Sequence, residues 1–501
     1  MNNFYINQKV NPKGLKKDEY DVIIIGAGIG GLTCGCYLAK VGLKVLIVEQ
    51  HYKPGGYCTS FKRKGFTFDA AAHSLGGLRE GGPLRKIYNE LGLDTKVEII
   101  RFDPTNVVIF PEHKIHIRTD IDATISDLQE NFKHEAENIE KFFKFIWNSE
   151  FANLYVQLKD KTFKDLLDMY FKNHQLKSIL GVFLGNIGLP PSKVSALASA
   201  ILYREFVIDG GYYPKSGMQA FSDAFIEKFK EWSGNIILGE KVEKIIIKNH
   251  KVEGVVIDKD NFIPSKIVVS NCDATNTFFQ MVGKEYLPAE FIRKINNLEI
   301  SPSAFIVYLG LNKNYSKILK DRCGWWCFLS NNFNVEKVFS DLDRKDKPYS
   351  EDGFFCFFPS SHDSSLAPPD HEVILLLVPA KITDNNFWLE NKHSLAVGLI
   401  KKAENFIPDL SNSIAVKEIA TPLTLYRYTL NRNGASYGWA STPLQIDMNT
   451  MPPVTFIKGL YLVGHWVTQG IGLGGIATVA YCGKNVAKLI TKSLKSKSRW
   501  K

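Results

Sequence analysis

The chain has 501 residues and a formal net charge of +10, and its eight cysteines are dispersed without the double CxxC spacing of a zinc site. This cysteine pattern predicts reduced thiols, no metal site and a cytoplasmic location. The N-terminus has no apolar signal segment, and no apolar run reaches the ~20 residues that span a bilayer. No nucleic-acid-binding motif accompanies the charge. The lysines are therefore either ordinary solvated groups or attract an anionic membrane surface, so we expect a soluble or peripheral membrane protein.

The first strong motif is YDVIIIGAGIGGLTCGCYLAKVGLKVLIVEQ. It predicts a strand over 22–25, a glycine turn, a helix over 32–40 and a second strand over 44–48 that ends on Glu49. The glycines of the turn are Gly26, Gly28, Gly30 and Gly31. This order is typical of dinucleotide binding, because glycines let the backbone approach a pyrophosphate at a helix N-terminus. Glu49 is expected to hold the ribose hydroxyls, which favours FAD or NAD over NADP.

The next segment, HYKPGGYCTSFKRKGFTFDAAAHSLGG, distinguishes between these two cofactors. It resembles the flavoprotein superfamily of phytoene desaturases, carotenoid isomerases, retinol saturases and amine oxidases, most closely the isomerase and saturase branch. The matching residues are Glu49, Gln50, His51, Gly55, Gly56, Cys58, Phe68 and Asp69. The resemblance implies FAD as the cofactor, with Gly55 and Gly56 packed against its phosphates and Gln50 among its contacts.

A second glycine-rich turn lies near the C-terminus, in GLYLVGHWVTQGIGLGG at 459–475. In the superfamily this turn returns the chain to the same cofactor, and the following helix, expected over 476–489, would present its N-terminus to the reactive end of the flavin. The predicted FAD contacts outside the first domain segment are Val242, Gly464, His465, Gly474, Gly475 and Ile476. His465 could contact the cofactor, transfer a proton or simply pack.

The resemblance covers nearly the whole chain and predicts an α/β fold with a Rossmann-type FAD-binding domain and an α+β substrate domain. We expect the first domain to combine 1–82, 205–299 and 421–501, and the second to combine 83–204 and 300–420. The segment 83–204 has helical periodicity, whereas 300–420 contains strand-like runs. The apolar stretch 176–202 is either a buried helix bundle or a monotopic entrance for lipid from a membrane.

The same resemblance implies an FAD-dependent oxidoreductase that acts on carbon–carbon single or double bonds of a long apolar substrate, such as a carotenoid, a retinoid or another unsaturated lipid. Desaturation, saturation and cis–trans isomerisation all remain open. His73 is the first acid–base candidate, with a hydrogen-bonded pocket wall as its alternative role. Glu205, beside Arg204, is a weaker catalytic candidate, and Asp69 is expected to brace the turn.

Two other functions fit the same fold. One is a lipid carrier without redox activity, as in the GDP dissociation inhibitors, although the glycines and Glu49 are intact here. The other is an FAD amine oxidase, for which Trp466, Tyr437 and Trp439 could supply an aromatic cage. An oxidoreductase also needs an electron acceptor or donor, which could be a quinone, oxygen or a reductase.

Overall fold

A computed structural model describes residues 20–110, 112–258, 260–315, 323–329, 334–446, 450–467 and 475–498. The described helices are α1 (Ile29–Lys40), α2 (Pro83–Glu90), α3 (Ile121–Asn131), α4 (Ala136–Asn148), α5 (Phe151–Leu158), α6 (Phe163–Tyr170), α7 (His174–Gly181), α8 (Ala196–Leu202), α9 (Met218–Glu231), α10 (Ala289–Asn297), α11 (Val335–Ser340), α12 (Asn385–Glu404), α13 (Pro422–Thr429) and α14 (Ile476–Ser498).

The described strands are β1 (Val22–Ile25), β2 (Val45–Glu49), β3 (Ser60–Arg63), β4 (Phe66–Asp69), β5 (Ile99–Arg101), β6 (Asn106–Phe110), β7 (His113–Ile117), β8 (Tyr212–Pro214), β9 (Asn235–Leu238), β10 (Val242–Lys248), β11 (Lys251–Ile257), β12 (Asn261–Pro264), β13 (Val268–Ser270), β14 (Ser303–Leu311), β15 (Trp325–Leu329), β16 (Gly353–Phe357), β17 (Glu372–Ala380), β18 (Ile414–Ala420) and β19 (Leu460–Leu462).

A five-stranded parallel sheet has the order β19-β13-β1-β2-β9. Every residue of β1 and β2 is buried, as expected for strands whose sheet is covered on both faces. Helix α1 packs against both α9 and α14. The sheet therefore joins three distant parts of the chain, and it confirms the predicted Rossmann-type α/β fold.

A second, seven-stranded sheet has the order β18-β14-β17-β16-β15-β6-β7 and is antiparallel except where β15 lies beside β6. One face of this sheet forms a separate core that includes Trp388 of α12. The hairpin of β6 and β7 comes from the segment 83–204, for which we predict helices. Short apolar runs such as 106–110 carry too few residues for periodicity to separate strand from helix.

Helices α3 to α8 form a layer with its own hydrophobic core. The apolar side chains of 176–202, including Leu180, Phe183 and Leu197, are buried in that core. The structure therefore favours the helix bundle over a monotopic membrane entrance for this stretch. Across the part of the chain that is described, no helix combines the length and hydropathy required to traverse a bilayer.

Candidate active site

One cavity of about 530 Å³ extends from the first glycine turn to the inner face of the seven-stranded sheet. It brings together most of the residues predicted from sequence. These are Gly26, Gly28, Gly30, Glu49, Gln50, Gly55, Gly56, His73, Glu205, Val242, Gly464, His465, Gly475 and Ile476. Gly31 lies behind the turn, where an added β-carbon would be 2.3 Å from the Gly26 carbonyl oxygen. Gly474 lies outside the described residues.

The first glycine turn and Gly464, which follows β19, meet around the amide of Asn271, which follows β13. A β-carbon added at Gly28 would lie 2.8 Å from Asn271 Nδ2, and one at Gly464 would lie 2.6 Å from Asn271 Oδ1. A β-carbon at Gly30 would lie 3.1 Å from Gly464 Cα. Gly464 thus lies beside the first turn. Most of the turn at 470–475, which we expect at the far end of the cofactor, lies outside the described residues. Sequence reasoning missed Asn271, because an Asn after a strand carries no motif of its own.

We call the concave surface formed by Gly28, Gly30, Gly55, Gly56 and Asn271 the cradle. The α1 N-terminus at the cradle has no side-chain cap and no acid in its first turn, so its N–H groups can donate hydrogen bonds to a bound anion. The Gly55 N–H donates to the Ala27 carbonyl at 2.8 Å, and Gly55 has a φ of 125°, which favours glycine. A β-carbon at Gly56 would lie 3.3 Å from Gly28 Cα. Because these glycines lack β-carbons, a pyrophosphate can approach the backbone N–H groups closely. The residues therefore fit a dinucleotide cofactor.

Glu49 is buried at the end of β2 and fixes the loops on either side of it. Its Oε2 accepts from the Ala27 N–H at 2.7 Å, and its Oε1 accepts from the His51 N–H at 2.8 Å. Burial raises the pKa of Glu49, and these backbone donors oppose that rise. Gln50 donates from Nε2 to the Tyr428 carbonyl at 3.2 Å. Val242, at the start of β10, also lines the cavity.

His465 is partly buried beside Tyr57, with 5.9 Å between the ring centroids. Burial lowers the pKa of His465 to about 4, so the imidazole is neutral at pH 7. The two neighbouring tryptophans do not line the cavity: Trp439 donates from Nε1 to the Trp466 carbonyl, and Trp466 donates from Nε1 to Asn431, both at 2.9 Å. Among the cage candidates only Tyr437 lines the cavity, so the aromatic cage is not formed.

We call the far part of the cavity, between the seven-stranded sheet and the helical layer, the chamber. His73 is buried there, with Trp325 edge-on at 5.3 Å and Phe357 at 6.0 Å between ring centroids. Neither ring nitrogen of His73 has a hydrogen-bond partner among the described residues. Burial lowers the pKa of His73 to about 3, so the ring is a neutral imidazole at pH 7.

Glu205 reaches the cavity wall, but two arginines occupy its carboxylate. Arg79 Nη1 lies 2.6 Å from Oε2, Arg79 Nη2 donates to Oε1 at 3.1 Å, and Arg204 Nε donates to Oε1 at 2.9 Å. Arg79 also pairs with Asp209 at 2.9 Å. A carboxylate that accepts hydrogen bonds from two arginines in this way has a structural role, which argues against the proton transfer that we considered for Glu205. Sequence reasoning missed Arg79, since the pair spans 126 residues.

Asp69 braces the turn after β4, as predicted. Its oxygens accept from Ser60 Oγ at 2.7 Å, Tyr213 OH at 2.6 Å and the Met218 N–H at 2.9 Å. The side chain is buried, and burial raises its pKa against the effect of these donors. Asp69 therefore ties the β3–β4 hairpin to the N-terminus of α9.

A Rossmann-type cradle that continues into an apolar chamber defines a flavoprotein oxidoreductase. The comparison with known families agrees. The chain belongs to the family described as flavin containing amine oxidoreductase, whose sequence model matches residues 29–490. The cofactor is FAD, and the carrier without a cofactor is not supported.

Two relatives and one solved structure illustrate the similarity. The chloroplastic prolycopene isomerase of Daucus carota is 28% identical, over 95% of this chain and 80% of its own length. The all-trans-retinol 13,14-reductase of Danio rerio is 23% identical, over 93% of this chain and 86% of its own. An oxidoreductase from Methanosarcina mazei shares the fold, with a TM-score of 0.66 and 20% identity over 94% of this chain and 100% of that one.

Proposed function

We propose that the protein is an FAD-dependent oxidoreductase or isomerase that acts on carbon–carbon double bonds of a long apolar polyene. One observation carries this proposal: the cradle and an apolar chamber walled by Trp325, Phe355 and Leu377 belong to the same cavity. The names of the isomerase and reductase relatives support the same class of substrate. An amine substrate has less support, because Trp439 and Trp466, two of the three residues considered for an aromatic cage, do not line the cavity.

FAD, when bound, supplies reversible hydride or electron transfer, and the chain's residues determine what reaches it. The cradle would hold the phosphates, and Glu49 would hold the ribose hydroxyls. The aromatic side chains of the chamber would position the polyene and exclude water. His73 would contact the substrate or the cofactor through a neutral imidazole, which keeps one N–H and lacks the second proton of an imidazolium. The higher identity to the prolycopene isomerase, 28% against 23% for the retinol reductase, favours isomerisation over saturation.

The test is a visible spectrum of the purified protein, followed by anaerobic reduction and addition of prolycopene or all-trans-retinol. We expect a flavin spectrum and altered polyene isomers without net reoxidation of the flavin. Reoxidation by the polyene would instead identify a saturase. Reduction of the oxidised protein by a polyene, with reoxidation by oxygen or a quinone, would identify a desaturase. A colourless protein that copurifies with lipid would overturn the proposal.

We further propose that α5 contacts a membrane surface while an apolar substrate enters. Its outer face exposes Phe151 at 42%, Tyr155 at 41% and Val156 at 74%. Helix α5 also lies near the chamber, because Arg204 donates to the Ser149 carbonyl and pairs with the cavity-lining Glu205. The test is flotation with vesicles containing anionic lipid. Changing Phe151 and Val156 to Ser should reduce the bound fraction several-fold, and an unchanged fraction would exclude this helix.

A further inference from the structure

We propose that Phe355, held against Gly185, limits how much of a polyene chain the chamber admits past His73. Phe355 is thus a specificity-determining residue for substrate length. This inference rests on the polyene substrate proposed above, and it concerns a side chain with no predicted role. Three features support it: the position of Phe355 in the sheet, its contact with the helical layer, and the smaller side chains beside it.

Phe355 lies two residues further along the strands than Trp325 and Phe357, the residues that contact His73. Trp325 pairs with Phe357, whereas Phe355 pairs with Cys327, two residues along β15. Two residues of a strand correspond to about 7 Å. All four side chains point to the chamber face, since the alternating residues Trp326 and Cys356 belong to the opposite core. A chain that extends along the strands from His73 therefore meets the Phe355 ring about 7 Å further on.

The Phe355 ring closes the gap between the sheet and the helical layer. A β-carbon added at Gly185 would lie 2.7 Å from Phe355 Cζ, so the ring tip contacts the bare backbone there. The Gly185 carbonyl accepts from the Tyr437 hydroxyl at 3.2 Å, which holds this backbone in place. Trp325 stands edge-on to Phe355, with 6.1 Å between centroids and 90° between ring planes.

The neighbours of Phe355 in its row of the sheet are smaller. Cys327 lies on one side and Leu377 on the other, and all three line the cavity. A shortened residue 355 would therefore open the chamber along the strands, with Cys327 and Leu377 as the remaining floor. Conversely, a side chain at residue 185 would push the ring towards the substrate.

The experiment measures the dissociation constants of all-trans-retinol and all-trans-lycopene by quenching of tryptophan fluorescence, so it does not depend on the direction of the reaction. Phe355→Leu is compared with Phe354→Leu, which lies on the opposite face of the same strand against Phe328 and Phe406. We expect Phe355→Leu to shift the preference towards lycopene by at least about tenfold. Phe354→Leu should leave the preference unchanged. Phe355→Ala provides a second, larger truncation if the Leu variant shifts only weakly.

A double-variant cycle tests whether the ring transmits the effect of Gly185. Gly185→Ala alone should weaken lycopene binding more than retinol binding, by several-fold. In the Phe355→Ala background the same substitution should have little effect, because the ring that it displaces is gone.

The outcomes separate this inference from the proposed function. If the wild-type protein binds neither polyene, both are overturned. A different result would overturn the length limit alone. In that case the wild-type protein binds a polyene, but both Phe355 variants bind a normal amount of flavin and keep the wild-type preference between the two polyenes within about twofold. Equal shifts in the Phe355→Leu and Phe354→Leu variants would also overturn it, because they would indicate general loosening of the sheet.

Discussion

The cradle and the chamber are parts of one cavity, but glycine backbone shapes the first and projecting side chains shape the second. The cradle is defined by bare glycine backbone around one amide: a β-carbon added at Gly28 or Gly30 would lie 2.8 Å from the Asn271 side chain, and one at Gly56 would lie 3.3 Å from Gly28 Cα. The chamber is defined by side chains, such as His73, Trp325 and Phe355, that project from separate segments. A cofactor with fixed phosphates requires the first kind of surface, and an apolar chain of variable length can be selected by the second.

This difference determines how each region should respond to substitution. The glycine turn at the cradle tolerates almost no added volume, since the Gly26 carbonyl beside Gly31 and the Gly464 backbone beside Gly30 cannot rotate away as side chains can. The chamber can lose or gain volume at a moderate cost, and such changes should alter which substrate binds rather than whether FAD binds. The predictions below test this distinction, from the largest expected effect to the smallest.

The largest effect should come from Gly31→Ala. The new β-carbon would lie 2.3 Å from the Gly26 carbonyl oxygen, which is backbone and cannot rotate away. We expect a loss of about 3 kcal/mol in the free energy of unfolding and a protein without bound FAD. Urea unfolding and the visible spectrum measure the two effects. The matched control is Gly398→Ala on the exposed side of α12. An added β-carbon there would have no neighbouring atom of another described segment within 4 Å. It should keep FAD and gain up to about 1 kcal/mol.

Glu49→Gln should weaken FAD binding while leaving the fold intact. Glutamine retains the shape but not the charge that strengthens the hydrogen bonds from the Ala27 and His51 N–H groups. We expect a loss of about 2.5 kcal/mol, or roughly 70-fold in the dissociation constant of FAD. Titration of the FAD-free protein gives this constant. Glu253→Gln, at an exposed position of β11, is the control. Equal affinity in the two variants would mean that the Glu49 carboxylate does not support the cofactor.

The same contrast explains what the sequence could predict. The cradle follows from a local motif, in which a strand, glycines, a helix and an acid lie within thirty residues, so its elements could be assigned in advance. The chamber depends on which segments meet. The pairing of β6 with β15, the contact of Arg79 with Glu205 and the closure of Phe355 on Gly185 join residues more than a hundred positions apart. No periodicity within one segment carries that information.

His73 should make the protein sensitive to acid. Burial lowers its pKa from 6.5 to about 3, so between these values the unfolded chain binds a proton that the folded chain does not. Stability therefore falls as the pH decreases through this window, by about 2 kcal/mol between pH 7 and pH 5. His73→Gln and His73→Phe, which do not titrate, should each lose about 2 kcal/mol less than the wild-type protein in urea unfolding. A parallel loss in all three proteins would show that His73 is accessible to protons in the folded state.

The smallest effect should come from Glu205→Gln, and it tests the structural role assigned to this residue. The pair with Arg79 is partly exposed, with 14% and 28% of the two side chains accessible, so solvent screening limits its contribution to about 1 kcal/mol. We expect a small drop in the urea midpoint and less than about threefold loss of turnover. Glu140→Gln, in the more exposed pair with Lys144 and away from the cavity, should change neither. Because the amide can still accept hydrogen bonds but cannot take up a proton, loss of all turnover with a full complement of FAD would restore Glu205 as an acid–base residue.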